Sequence, residues 1–245
     1  VSEEERPPRS ADLTEPEWSA LLATGAIEVV GRMPWSSNAT FLVTVADRHR
    51  VARAVYKPGA GERGLWDFPD GLFRREVAAY QLDRVLGLGA IPTTIVREDA
   101  PLGEGSLQRF IEADFAEHYF SLRELDQHGA ALRAIAGFDL LANNADRKGG
   151  HLLVDGRGHV WAIDNGLSFH VDAKLRTVMW DFAGEGLPEV IVAGARRLAA
   201  SIPAELAELL SDDEVAALAR RARRIAKHPR FPGPTAETRL PWPLV

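Results

Sequence analysis

The chain has 245 residues, 46% of them hydrophobic and 26% charged, enough for one large domain or two lobes with a sizeable core. Its 29 Lys and Arg against 35 Asp and Glu leave a formal net charge of -6, which argues against nucleic acid or an anionic membrane as the main partner. There is no cysteine, which excludes disulfides, thiolate catalysis, cysteine-bound zinc and palmitoylation; no apolar run reaches the ~18 residues of a membrane span, and Val1–Pro8 is no signal peptide, so a soluble cytoplasmic protein is expected.

Residues 1–13 are acidic and aperiodic and are expected to form a flexible tail. Thr14 to Glu17 gives a capping box, Trp18, Leu21 and Leu22 supply an apolar stripe, and Gly25 closes the helix. Ile27–Gly31, Thr40–Val45 and Val51–Tyr56 then read as an antiparallel meander. A helical period covers Gly71–Leu86, followed by strands at Ile91–Val96 and Ser106–Ile111. Beyond Glu112 the chain turns helical: weakly over Leu122–His128, strongly over Ala130–Leu141. Asp155-Gly156-Arg157-Gly158 is a hairpin signal between Leu152–Val154 and His159–Ile163. The stretch His170–Gly186 lacks a clear period. Helices resume at Pro188–Ala200, Pro203–Leu210 and Ser211–Lys227, the last with basic residues that suit a solvated face, and a proline-rich tail covers His228–Val245.

Several residues in this order suit phosphate chemistry. The turn with Ser36, Ser37 and Asn38 joins two strands and can fold over phosphates with backbone N–H groups and hydroxyls. Lys57 ends the third strand, and Glu76 lies nineteen positions later within a helix. Asp146 sits in a polar loop before the hairpin and Asp164 follows its second strand, so folding the hairpin brings both carboxylates to one end. Phosphoryl transfer uses one carboxylate for the nucleophile's proton and another for the metal that bridges the phosphates.

The runs AVYKP (54–58), GSLQRFIE (105–112), NNADRKGGH (143–151) and AIDNGLSF (162–169) resemble the protein-kinase-like superfamily, in particular its atypical phosphatidylinositol 3- and 4-kinases, the type II 4-kinases and HipA-like kinases, together with an actinobacterial group similar to them. The resemblance implies an α+β, bilobal protein-kinase-like fold: a small antiparallel β-rich lobe over 14–112 and a mostly helical lobe over 113–245. It implies that Lys57 grips the nucleotide phosphates and pairs with Glu76, that Ser36, Ser37 and Asn38 cover them, and that Gln108, Arg109, Phe110 and Ile111 line the adenine pocket through their backbone. Asp146 becomes the catalytic acid, Arg147 a neutralising charge near the transferred phosphate, and Asp164 the ligand of Mg²⁺ or Mn²⁺. His151 stands where the kinase pattern has an Asn that binds a second metal; imidazole suits Mn²⁺ better than Mg²⁺.

The expected function is an ATP-dependent phosphotransferase acting on a hydroxyl of a protein, small molecule or lipid. The alternatives are a pseudokinase that binds nucleotide or a partner as a regulatory module, and transfer of AMP in place of phosphate.

Overall fold

The computed structural model describes residues 13–34, 38–234 and 240–245. Ser36, Ser37 and all of the expected tail except Leu13 lie outside these. The chain forms two compact units, one of Val1–Val77 with Pro92–Phe110, the other of Ala78–Ile91 with Ile111–Val245.

The first unit opens with α1 (Glu15–Thr24), capped by Thr14 and Glu17 as the capping box predicts. Gly25 ends it without a left-handed turn: its φ is -66°. A Cβ there would stand 2.6 Å from Val45 Cγ1, so the glycine serves close packing. Five antiparallel strands follow, β1 (Ala26–Arg32), β2 (Phe41–Ala46), β3 (Val51–Pro58), β4 (Thr94–Arg97) and β5 (Gly105–Arg109), in the order β1-β2-β3-β5-β4. The strand expected from Ile91 begins only at Thr94, because Pro92 has no N–H for a ladder. Trp18, Leu21 and Leu22 join Val43, Val45, Ala54, Tyr56 and Leu107 in the core of this unit. The helix α2 (Leu72–Leu86) gives its first residues to this unit and Ala78 onward to the second.

The second unit is built on α4 (Gly129–Ala142), α5 (Glu189–Ala200) and α7 (Asp212–Lys227), with short helices α3 (Tyr119–Leu122) and α6 (Ala204–Ala207) and the hairpin β6 (Leu152–Val154) and β7 (Val160–Ala162). The weak helix expected over Leu122–His128 is replaced by α3 and a 3₁₀ turn at Asp126–His128. Helices approach closely at glycines. A Cβ on Gly137 would meet Ile191 Cγ1 at 2.7 Å, and one on Gly194 would meet Leu86 Cδ2 at 2.2 Å. The α7 face departs from the solvated expectation at Arg221, whose guanidinium donates to the Leu141 and His170 carbonyls at 2.8 and 3.2 Å. Burial, with Arg220 and Arg224 beside it, lowers its pKa to about 10. No helix among the described residues is long and apolar enough to cross a membrane.

Candidate active site

In the first unit β3 pairs with β5 so that Lys57 lies opposite Ser106. The Lys57 ammonium reaches the Glu76 carboxylate on α2, and Glu76 is buried at 3% exposure. The carboxylate of Glu62 accepts the Gly71 and Phe73 amides at 2.9 and 2.7 Å, which fixes the start of the helix that carries Glu76. Asn38 Oδ1 accepts from the Arg63 amide at 3.0 Å. The Gln108 side chain donates to Thr94 Oγ1 at 2.8 Å. The Arg109 and Phe110 amides donate to the Thr93 and Arg53 carbonyls at 2.9 and 3.2 Å, so these two N–H groups already serve the sheet. Ile111, buried at 4% exposure, begins the chain's return to the second unit.

In the second unit α4 ends at Asn143 in the left-handed conformation, φ 57° and ψ 48°. Its side-chain amide donates to the His170 and Asp172 carbonyls at 3.0 and 2.6 Å, while its oxygen accepts the Lys174 amide at 2.9 Å. Asn144 Oδ1 accepts the Asp146 amide at 2.9 Å, fixing the backbone of that acid. The next turn is tied to the chain beyond Asp164 by two bonds, Ala145 N–H to the Leu167 carbonyl at 2.8 Å and Phe169 N–H to the Ala142 carbonyl at 2.6 Å.

Asp146 is partly buried, and its carboxylate pairs with the Lys148 ammonium at 3.0 Å. Burial raises its pKa above the ordinary aspartate value; Lys148 opposes the rise, and the charge of Asp164 adds to it. The hairpin brings these acids to one end as its signal predicts: the Ile163 amide donates to the His151 carbonyl at 2.9 Å, extending the pairing toward Asp164. Asp164 has a positive φ of 57° and a side chain 53% exposed. Its Oδ2 lies 3.4 Å from His151 Nε2, and His151 Nδ1 accepts the Lys148 amide at 3.4 Å. His151 therefore faces Asp164.

Arg147 is placed differently from its expected role beside the phosphate. It is fully buried, with Nε and Nη2 on both Asp139 oxygens between 2.9 and 3.2 Å. Its remaining bonds go to the Ile163 carbonyl at 2.7 Å and Asn165 Oδ1 at 2.6 Å, the two residues on either side of Asp164. The guanidinium braces the backbone around Asp164 from inside the protein. Asp139, Lys148, Asn144 and Asn165 were not singled out in the sequence; the available signal for Asp139 was an acid inside the apolar run Phe138–Leu141.

The Asp164 carboxylate with the His151 imidazole beside it could take Mg²⁺ or Mn²⁺. Among the described residues no three His, Cys, Asp or Glu form a closed metal cage. An ion on one or two carboxylates that takes its other ligands from phosphate and water is how such cations bind with nucleotides.

Comparison with known proteins gives one relative by sequence and a fold by structure. The Mycobacterium tuberculosis protein Rv2133c is 39% identical, over 91% of this chain and 94% of its own length. No family model matches. The structure of hydra Fam20 with sugar has 17% identity and a TM-score of 0.55, covering 86% of this chain and 87% of that one. The crystal structure of the Golgi casein kinase with Mn and ADP bound has 16% identity and a TM-score of 0.56, covering 87% and 75%. With the five-stranded antiparallel sheet and the helices, these likenesses make the fold α+β and protein-kinase-like.

Proposed function

This chain belongs to the family of the M. tuberculosis protein Rv2133c, and we propose that it is an ATP-dependent phosphotransferase that moves the γ-phosphoryl group to an acceptor hydroxyl. The observation that carries this is the Lys57–Glu76 ion pair, formed by a strand and a helix of a kinase-like fold, which holds a cation ready for the α- and β-phosphates. In the second unit, Asp146 takes the proton of the attacking hydroxyl, for which its raised pKa makes it a stronger base. Lys148 beside it offsets negative charge that gathers near the transferred group. Asp164, with His151 at its side, would hold Mg²⁺ or Mn²⁺, and a bound ion would neutralise phosphate charge. The Golgi casein kinase with Mn and ADP bound supports this choice of cofactors. Arg147 acts through the two residues that flank Asp164. Ser36, Ser37 and Asn38 remain candidates for covering the phosphates.

The sequence likeness to phosphatidylinositol kinases and HipA-like kinases supports a lipid or protein hydroxyl as acceptor. His151, in the position of a second metal-binding Asn, favours the pseudokinase alternative.

Calorimetry with ATP and Mg²⁺ or Mn²⁺ tests the proposal, followed by transfer assays with γ- and α-labelled ATP. Metal-dependent binding is expected in the parent, at least ~10-fold weaker binding in Lys57→Met and Asp164→Ala, and nearly unchanged binding without turnover in Asp146→Ala. Transfer of the α-label would replace phosphate transfer by AMP transfer. Binding without any transfer supports the pseudokinase, and no binding with either metal refutes the nucleotide site.

A further inference from the structure

Gly149 and Gly150 directly follow Asp146-Arg147-Lys148, and another stretch of the chain lies against them. The Gly149 N–H donates to the Leu244 carbonyl at 2.7 Å. A Cβ at Gly149 would stand 3.2 Å from that oxygen and 3.1 Å from Phe120 Cε2, and one at Gly150 would stand 3.5 Å from Val245 Cγ1. At Gly149 the missing side chain leaves room for the second backbone, whereas a Cβ at Gly150 would make ordinary contact. Leu244 and Phe120 both pack on the core of the second unit. Both also line a cavity of about 300 Å³, walled otherwise by Arg123, Val178, Trp180 and Asp181 and, on the side of the chain's last residues, by Leu240.

The segment seated there, residues 240–245, reads Leu-Pro-Trp-Pro-Leu-Val. It carries no Ser, Thr or Tyr, so it has no hydroxyl to receive a phosphate. Its hold rests on buried Pro241 and half-buried Leu244, while Trp242 is 85% exposed, Val245 55% and Leu240 54%. Pro241 and Pro243 lack an N–H and cannot add ladder bonds.

We propose that this glycine strip and its cavity bind the acceptor, that the acceptor is a polypeptide, and that residues 240–245 occupy its place until it arrives. This rests on the phosphotransferase assignment. The chemistry fits a peptide: a backbone N–H aimed at a carbonyl, clearance for a main chain, and a mostly apolar hollow that opens further when Leu240 and Leu244 leave it. It does not fit a phosphorylated headgroup. Arg123 is the cation at the cavity, and it faces Asp181 at 3.4 Å, which also accepts from the Tyr119 hydroxyl. In the reaction the bond between the γ-phosphorus and the bridging oxygen breaks, the peptide oxygen bonds to that phosphorus, its proton goes to Asp146, and ADP leaves.

The test uses the full chain, its Leu244→Asp variant and a peptide library with one central Ser, Thr or Tyr. Replacing Leu244 removes one of the two apolar anchors of the segment and leaves the other, Pro241, in place. The inference expects equal ATP binding by both proteins, at least a ~10-fold rise in γ-label transfer to the library with Leu244→Asp, and reversal of that rise by free peptide LPWPLV. A second measurement, faster amide exchange at Gly149 in the variant, reports release of the segment. Equal ATP binding with unchanged or absent peptide labelling overturns the inference and leaves the phosphotransferase assignment standing. Labelling of myo-inositol but not of peptides overturns it as well. ATP binding by neither protein overturns both.

Discussion

The Asp139–Arg147 pair, buried in the second unit, should couple stability to Asp164, the proposed metal ligand. At the surface such a pair is worth ~0–1 kcal/mol, but these side chains are 1% and 0% exposed, and removal of one partner leaves the other charge without its counter-ion in the interior. Asp139→Leu should therefore cost ~3–5 kcal/mol, a large part of the ~5–15 kcal/mol that holds a typical domain. Arg147→Met should cost a similar amount. The double variant Asp139→Leu with Arg147→Met should fall short of the sum of the single effects by ~2–3 kcal/mol, because it buries no uncompensated charge. Urea unfolding followed by tryptophan fluorescence measures all three. Nucleotide binding should behave differently: the double variant loses less stability than the two changes summed but regains no Mn²⁺-dependent ATP affinity, since Ile163 and Asn165 have lost the guanidinium that holds them around Asp164. Additivity within ~0.5 kcal/mol, or full recovery of affinity in the double variant, would refute this account.

Two more expectations follow from local chemistry. Transfer activity should fall as pH drops through an Asp146 pKa above the ordinary aspartate value, because burial favours the protonated form that cannot accept a proton. Lys148→Met should move that acid limb to still higher pH, and a downward shift in the pH profile would count against the pairing. Gly194→Ala should destabilise by ~1 kcal/mol, since the clash with Leu86 costs ~1–3 kcal/mol and exceeds the ~1 kcal/mol of helix propensity gained. Gly129→Ala, with nothing within 4 Å of its Cβ, should stabilise by ~0.4–1 kcal/mol, and equal signs for the two in thermal melts would contradict the packing.

Much of the architecture could be read from local patterns. The Thr14 capping box, the alternation of β2 and β3, the hairpin turn at Asp155–Gly158 and the Ser211 cap of α7 each depend on neighbours in the chain, and each forms where expected. The Lys57–Glu76 contact was legible because strand end and helix face follow one another in a known order. Arg147 was not legible in this way. A cation in a polar loop looks solvated from composition, and its burial depends on Asp139 eight residues earlier and Asn165 eighteen later. The same holds for Arg221, which looks like one more charge on a basic helix until the Leu141 carbonyl is found beneath it.

The left-handed turn at Asn143 has a consequence for how this protein is controlled. In many enzymes of switchable design, the segment after the metal-binding acid is disordered until a phosphate or ligand gathers it. Here one amide side chain already fastens His170, Asp172 and Lys174, and the Arg147 backbone exchanges bonds with Arg176 and Val178 at 3.0 and 3.1 Å. The folded chain thus arrives with its machinery cocked and without a built-in trigger in that segment. For the phosphotransferase proposed above, that leaves control to supply: nucleotide, metal or access of the acceptor.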